Sequence, residues 1–184
     1  FSEAIAYFKN ALVCQPDLIE AATNLAVTLH QIGDLTEAAT YYLRSLQIDP
    51  NSAQAHNNLG ILRQDQGNIT EAVSCFQKAI ALNPLYVKAL NNLGALLQQQ
   101  GELPGAIAYF QQALSATSNY VPALINLGVA MEAKCQPEEA KRFYQQCIEL
   151  EPDNPKGYYY LGTLCLKIHE LEQAISNLET ALVL

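Results

Sequence analysis

The chain has 184 residues, half of them hydrophobic, and carries a formal net charge of −8 at pH 7. This length can enclose a large core, whereas an acidic chain without a lysine- or arginine-rich cluster is a poor candidate for binding nucleic acid or an anionic membrane surface. No apolar run approaches the length of a membrane-spanning helix, and no signal peptide is recognisable.

An internal repeat of 34 residues runs through the whole chain. Alanine recurs on this period from Ala4 to Ala174, and leucine recurs on it from Leu25 to Leu161. Four prolines and one serine occupy a third set of matching places, namely Pro16, Pro50, Pro84, Ser118 and Pro152. Because several residue types keep one register, we interpret the chain as a tandem array of one supersecondary unit.

The repeat divides the chain into four complete units between two partial ones. In chain order, the predicted units are 1–18, 19–52, 53–86, 87–120, 121–154 and 155–184. The first and last residues both fall within a second helix, and neither end carries the polar capping helix that usually closes such arrays. We therefore expect the chain to be a fragment of a longer protein.

Each unit is predicted to contain two α-helices. The segment 87–100 carries leucines at helical spacing and is followed by Gly101, a residue suited to ending a helix. The segment 104–117 is predicted to be the second helix, with Phe110 on its apolar face. A small residue such as Gly94 lets the two helices approach, and the aromatic ring fills the space beside it.

These marks resemble the tetratricopeptide repeat family, and the resemblance covers the whole chain. In one unit they are Pro84, Leu93-Gly94, Gly101, Ala106 and Phe110. The resemblance implies an all-α, right-handed α-solenoid of about eleven helices, in which the first helix of each unit lines the concave surface. The chain departs from the family pattern in having no tryptophan and few aromatic residues in its first helices.

Asparagine occupies one phase of four consecutive first helices, at Asn24, Asn58, Asn92 and Asn126. Tyr160 takes this place in the last unit. Residues advance by about 100° around a helix, so these asparagines face away from the leucine-rich core side. Each asparagine costs several tenths of a kcal/mol relative to alanine in a helix, which suggests a compensating role. The resemblance implies that this face is the groove.

The asparagine row has the spacing to hold an extended peptide. A carboxamide offers one acceptor and two donors, which complement a peptide unit. Packed helices lie about 8–10 Å apart, and a polyproline-like peptide repeats its orientation about every 9.3 Å. We therefore expect the row to bind peptide backbone. The alternative is that the asparagines bond to one another, to backbone or to water, and set the pitch of the array.

Six further residues are candidates for contact with the peptide: Lys88, Gln99, Asn57, Asn91, Tyr159 and Tyr160. Lys88 and Gln99 share the helix face of the asparagine row. Asn57 and Asn91 precede the row by one position, and we interpret them either as ligand contacts or as solvated residues at the groove edge. The two tyrosines either stack on a ligand or pack near a repeat boundary.

The asparagine row also resembles that of O-linked N-acetylglucosamine transferases and their SPINDLY-like relatives, whose units read Asn-Asn-Leu-Gly. This implies an alternative function, in which the array is the substrate-recruiting arm of a larger glycosyltransferase. A third possibility is a structural scaffold, including self-association through the ends of the chain. No catalytic motif is recognisable in the segment, so we predict no enzyme activity for it and no catalytic residue.

The cysteines and histidines lack the spacing of a metal site. Five cysteines form an odd set without a C-x-x-C pair, which predicts small buried hydrophobic residues in a reducing, cytoplasmic compartment. Cys135 stands where glycine is usual and is predicted to be exposed. We therefore predict no metal and no cofactor, and a protein or peptide partner in place of nucleic acid or membrane.

Overall fold

The computed structural model describes all 184 residues and contains eleven α-helices and no strand. This confirms the all-α class and the predicted number of helices. In chain order, the helices are α1 (Ser2–Cys14), α2 (Ile19–Gln31), α3 (Leu35–Ile48), α4 (Ala53–Asp65), α5 (Ile69–Leu82), α6 (Val87–Gln99), α7 (Leu103–Ala116), α8 (Val121–Ala133), α9 (Pro137–Leu150), α10 (Pro155–Lys167) and α11 (Leu171–Val183).

The chain forms two compact units, Phe1–Asn92 and Leu93–Leu184, with the division inside α6. In the first unit each helix from α1 to α5 packs on the next, and α2 also contacts α4. In the second unit α7 to α11 pack in the same way, and α8 also contacts α10. Short turns between consecutive packed helices produce helix hairpins, in which first helices alternate with second helices.

The two helices of a hairpin meet where an aromatic ring lies against a glycine. A methyl group added to Gly94 would lie 2.6 Å from Cε1 of Phe110, and one added to Gly60 would lie 2.6 Å from Cε1 of Phe76. Both phenylalanines are fully buried. The prediction that the small residues allow close helix packing is therefore confirmed.

The turn inside each hairpin requires a left-handed residue. Gly101 has a φ of +83°. The equivalent positions in the next two 34-residue repeats are occupied by Cys135, with a φ of 56°, and His169, with a φ of 64°. The backbone N–H of Cys135 donates to Glu132 O at 2.9 Å, and that of Gln136 donates to Met131 O at 2.9 Å. This pair of bonds closes a Schellman motif without glycine.

The five cysteines are free thiols. Cys147 and Cys165 are buried, which agrees with the interpretation of the cysteines as small core residues. Cys135 is exposed, as its place in a turn predicts. Cys14 is also exposed, which differs from the interpretation of the cysteines as buried residues. None of the helices combines the length and hydropathy needed to cross a membrane.

Candidate functional site

The asparagine row has solvent access in both compact units. Asn24 is exposed, and the other three asparagines of the row are partly exposed. Each is followed by a buried leucine: Leu25, Leu59, Leu93 and Leu127. Each asparagine thus lies about 100° around its helix from a core leucine, at the boundary between the core and solvent. The first unit carries three of them, on α2, α4 and α6, and the second unit carries Asn126 on α8.

A hydrogen-bonded chain of amides joins two first helices of the first unit. Asn92 Nδ2 donates to Asn57 Oδ1 at 2.9 Å, and Asn57 Nδ2 donates to Asn58 Oδ1 at 3.4 Å. Asn57 thus lies between two members of the row and links α4 to α6. The Asn24 side chain stays exposed, and its backbone carbonyl accepts a hydrogen bond from the Thr28 hydroxyl.

The residues that precede the row are buried. Asn57 is 2% exposed and Asn91 is 8% exposed, which differs from the solvated position at the groove edge that we expected as one alternative. Because each lies one step of about 100° away from the row, the side chain points sideways toward a neighbouring helix. Asn57 therefore lies beneath the row and supports two of its members.

Two tyrosines line a pocket of the second unit, in the groove between α8 and α10. The pocket has a volume of about 500 Å³ and is lined by Val121, Pro122, Ile125, Asn126, Glu151, Asn154, Lys156, Tyr159 and Tyr160. Tyr160 stacks on Tyr144 with a centroid distance of 5.5 Å. Tyr159 stands edge-on to Tyr160 at 5.5 Å and is 53% exposed. The stacking of Tyr160 on Tyr144 agrees with packing near a repeat boundary, and the exposure of Tyr159 agrees with stacking on a ligand.

A second pocket of about 590 Å³ lies in the same groove, and the tyrosine pair also borders it. Its wall contains Glu132, which accepts hydrogen bonds from Tyr144 Oη and Lys167 Nζ, each at 2.6 Å. Burial and the Glu132 carboxylate raise the pKa of Tyr144, so its hydroxyl remains a donor. We did not predict a role for Glu132 and Lys167 from the sequence, although their separation of 35 residues is close to the repeat length of 34.

The remaining candidates lie on the surface of α6. Lys88 and Gln99 are both exposed, as expected from their helix face. Elsewhere in the first unit, Nε2 of His30 and Oδ2 of Asp65 are 2.7 Å apart, and this contact joins the ends of α2 and α4. The first unit thus contributes amides and a few charges to the candidate residues, and the second unit contributes amides, two tyrosines and further charges. No group of three or more metal-ligating side chains accompanies them.

The fold is shared with solved repeat proteins. PilF of Pseudomonas aeruginosa is 24% identical, with a TM-score of 0.81 over 89% of this chain and 74% of its own. The protein TTC0263 of Thermus thermophilus is 23% identical, with a TM-score of 0.76 over 89% of this chain and 90% of its own. YrrB is 22% identical, with a TM-score of 0.66 over 95% of this chain and 90% of its own. No curated protein sequence matches the chain.

Four family models, each described as a tetratricopeptide repeat, match the chain. They match residues 17–84, 57–121, 121–154 and 143–176, so that together they extend from residue 17 to residue 176. These matches agree with the glycine–aromatic pairs and the hairpin turns of the structure. The chain therefore belongs to the tetratricopeptide repeat family.

Proposed function

We propose that the chain is a protein-interaction module that binds an extended peptide through Asn24, Asn58, Asn92 and Asn126. The observation that carries the proposal is the solvent access of all four carboxamides, each of which is followed by a buried leucine. Tetratricopeptide repeat proteins bind protein or peptide partners, and the solved structure of YrrB is described as having an unusual peptide-binding site.

The hydrogen bonds of Asn57 suit the first unit to this role. Asn92 uses one N–H to reach Asn57, and its oxygen and second N–H remain available. Asn58 accepts from Asn57 through its oxygen, so its two N–H groups remain available. Two neighbouring members of the row can thus offer an acceptor and a donor in fixed orientations, which lowers the ordering cost of binding.

Amide contacts alone give modest affinity. Each hydrogen bond to the peptide backbone contributes about 0.5–1.5 kcal/mol net, against the loss of freedom on association. The rest of the binding free energy then comes from side-chain pockets. The pocket beside Tyr159 and Tyr160 supplies such apolar surface in the second unit.

A structural role of the asparagine row is the second candidate. It is favoured by the 2.9 Å bond from Asn92 to Asn57, which fastens α6 to α4 without any ligand. In this case the asparagines would hold successive first helices at a fixed spacing. The two candidates differ at Asn24, which is exposed and whose backbone alone takes part in the hydrogen bond to Thr28.

A recruiting arm of a glycosyltransferase is a narrower form of the first candidate. It would use the same asparagines, and a neighbouring catalytic domain would modify the captured peptide. The complete gene decides this point, because the arm requires a glycosyltransferase domain in the same polypeptide. A gene without one leaves the binding module as the proposed function.

The test measures binding to an array of random fifteen-residue peptides. The variant carries Asn24→Ala and Asn58→Ala, and the control carries Gln47→Ala and Gln77→Ala, two exposed amides of second helices. Loss of two backbone hydrogen bonds of about 0.5–1.5 kcal/mol each predicts binding that is weaker by about five-fold or more, and the control should bind as the parent does. Equal binding by the variant and the parent, with equal helix content, would instead support the structural role.

A further inference from the structure

A second row of side chains follows the asparagine row, three residues further along each first helix. It contains Val27, Ile61, Val129 and Thr163, and Ala95 takes this place on α6. Each residue comes two positions after a core leucine, or about 200° around the helix, so it lies on the side away from that leucine. The four residues other than Ala95 are β-branched and partly exposed, and we term them the β-branched row.

In the second unit the β-branched row borders the groove. Val129 on α8 and Thr163 on α10 both line the pocket of about 590 Å³ between these two first helices. The Thr163 hydroxyl donates a hydrogen bond to the Tyr160 carbonyl at 2.9 Å. Because this donor is used within its own helix, Thr163 resembles valine in what it offers to a ligand. Both residues thus supply branched apolar groups to the wall of the groove.

The charged groups about one turn beyond the β-branched row have partners within the chain. In the second unit, Glu132 accepts hydrogen bonds from Tyr144 Oη and Lys167 Nζ, each at 2.6 Å. In the first unit, the positions that match Glu132 and Lys167 hold His30 and Asp65, whose side chains are 2.7 Å apart. Because these groups already have partners, the part of the groove beside the β-branched row favours an uncharged ligand.

The spacing of the β-branched row matches the period of an extended peptide. Residues three apart on a helix are neighbours, so each β-branched side chain lies beside the asparagine of its own helix. Neighbouring packed helices lie about 8–10 Å apart, and a polyproline II peptide repeats its orientation every three residues, or about 9.3 Å. A peptide whose backbone is held by one asparagine per helix therefore presents every third side chain to the β-branched row.

We propose that the groove selects an uncharged extended segment with a small apolar residue, such as valine or proline, at every third position. This selection rests on the peptide binding proposed above, since the asparagines must hold the backbone in register. In the first unit Asn24 and Asn58 hold the backbone, and Val27 and Ile61 contact two apolar side chains that are three residues apart. Branching at Cβ restricts the side chains of the row, so little of their freedom is lost on binding.

Fluorescence anisotropy with two labelled peptides of equal composition tests the proposal. One peptide repeats Val-Gln-Ser four times. Its isomer places the four valines in alternate positions, as Val-Gln repeated four times and followed by four serines. The parent should bind the first peptide about ten-fold more tightly, because only a period of three brings valines to two neighbouring first helices at once.

Removing the branched side chains of the first unit should remove this preference. The variant Val27→Ala with Ile61→Ala should bind the first peptide no more than about two-fold more tightly than the isomer. Val73→Ala with Ile80→Ala is the matched control, since both residues are partly exposed and lie on the second helix α5. It should keep the preference of the parent. Circular dichroism checks folding, and the comparison of the two peptides on the parent depends on no variant.

The asparagine variant separates selection from binding itself. Asn24→Ala with Asn58→Ala should weaken the binding of both peptides by a similar factor, since it removes backbone contacts that every sequence shares. Equal binding of the two peptides by the parent would overturn the selection, and the peptide-binding function would stand if the asparagine variant still weakened both. A preference that survives Val27→Ala with Ile61→Ala would also overturn the selection. Binding of neither peptide would overturn it too, and capture of random peptides would then show that the peptide-binding function remains.

Discussion

Asn92 on α6 donates a 2.9 Å hydrogen bond to Asn57 on α4, a residue that is 2% exposed and that also reaches Asn58. The two asparagines belong to different phases of the first helices, since one lies in the solvent-accessible row and the other lies beneath it. A buried amide therefore sets the orientation of two amides that water can reach. Substitutions can therefore test stability and peptide binding separately, because Asn57 supports the row whereas Asn58 and Asn92 are proposed to contact the peptide.

Asn57→Ala should lower the free energy of unfolding by about 1–3 kcal/mol, because it leaves Asn92 and Asn58 without their buried partner. Asn24→Ala should leave stability unchanged or raise it by several tenths of a kcal/mol, since alanine is the better helix former at an exposed position. Urea unfolding followed by circular dichroism measures both. Equal midpoints for the two variants would show that the Asn57 bonds contribute nothing to stability.

Gly94→Val should destabilise the second unit by about 1–3 kcal/mol, because the added atoms would overlap the ring of Phe110. Ala95→Val on the same helix controls for the lower helix propensity of valine. Adding Phe110→Leu to Gly94→Val should recover part of the loss by making room for the new side chain. Thermal melts of the four proteins test this, and a double variant less stable than Gly94→Val alone would contradict the proposed overlap.

Cys135→Gly should stabilise the chain by about 0.5–1 kcal/mol. The cysteine has a φ of 56°, which is strained for a residue with a side chain, and part of the gain is offset by the larger freedom of glycine in the unfolded state. The reverse change in the preceding unit, Gly101→Ala, should be destabilising by a similar amount, since Gly101 has a φ of +83°. The denaturation midpoints of the two variants should shift in opposite directions.

Alkaline pH should unfold the protein through buried groups that stay protonated in the native state. Burial, with a smaller effect of Glu151, raises the pKa of the Cys147 thiol to about 12, and burial raises the pKa of Tyr42 to about 12. In the unfolded chain the cysteine thiol loses its proton at about pH 8.5 and the tyrosine hydroxyl at about pH 10. The unfolded state then binds fewer protons, so stability is full below about pH 8.5 and falls as the pH rises toward 12.

Cys147→Ala should make this decline shallower, by up to about 1.4 kcal/mol per pH unit between about pH 9 and pH 12. Cys14→Ala, at an exposed cysteine, is the control and should keep the slope of the parent. Urea unfolding at a series of pH values gives the slope directly. A Cys147→Ala protein with the slope of the parent would exclude this thiol as a cause of the alkaline instability.

Much of the fold follows from short-range patterns that repeat. The predicted helices 87–100 and 104–117 correspond to α6 (Val87–Gln99) and α7 (Leu103–Ala116), because glycine and proline mark their ends and leucine spacing marks their faces. The contact of Gly94 with Phe110 follows from the same patterns. These features depend only on contacts within one helix hairpin, so the sequence of a single repeat is enough to predict them.

The burial of a side chain also depends on the neighbouring helix. The position of the residue within its repeat does not specify that neighbour. Asn57, Asn91, Ile125 and Tyr159 share one phase, yet the first three are buried and Tyr159 is 53% exposed. Ile125 belongs to a buried cluster against which Tyr160 of the next first helix packs, so its burial depends on a residue one repeat away. The bond of Glu132 to Lys167 was missed for a related reason, since it joins residues of successive units through two flexible side chains.

The pairing of each ring with the glycine of its own hairpin has an evolutionary consequence. Phe76 lies on Gly60 and Phe110 lies on Gly94, and in both cases the partners are separated by less than one repeat length. A duplicated or deleted segment of 34 residues would therefore contain both the aromatic ring and the glycine against which it packs. Arrays of this type can therefore grow or shrink by recombination while every copy keeps its own ring–glycine contact.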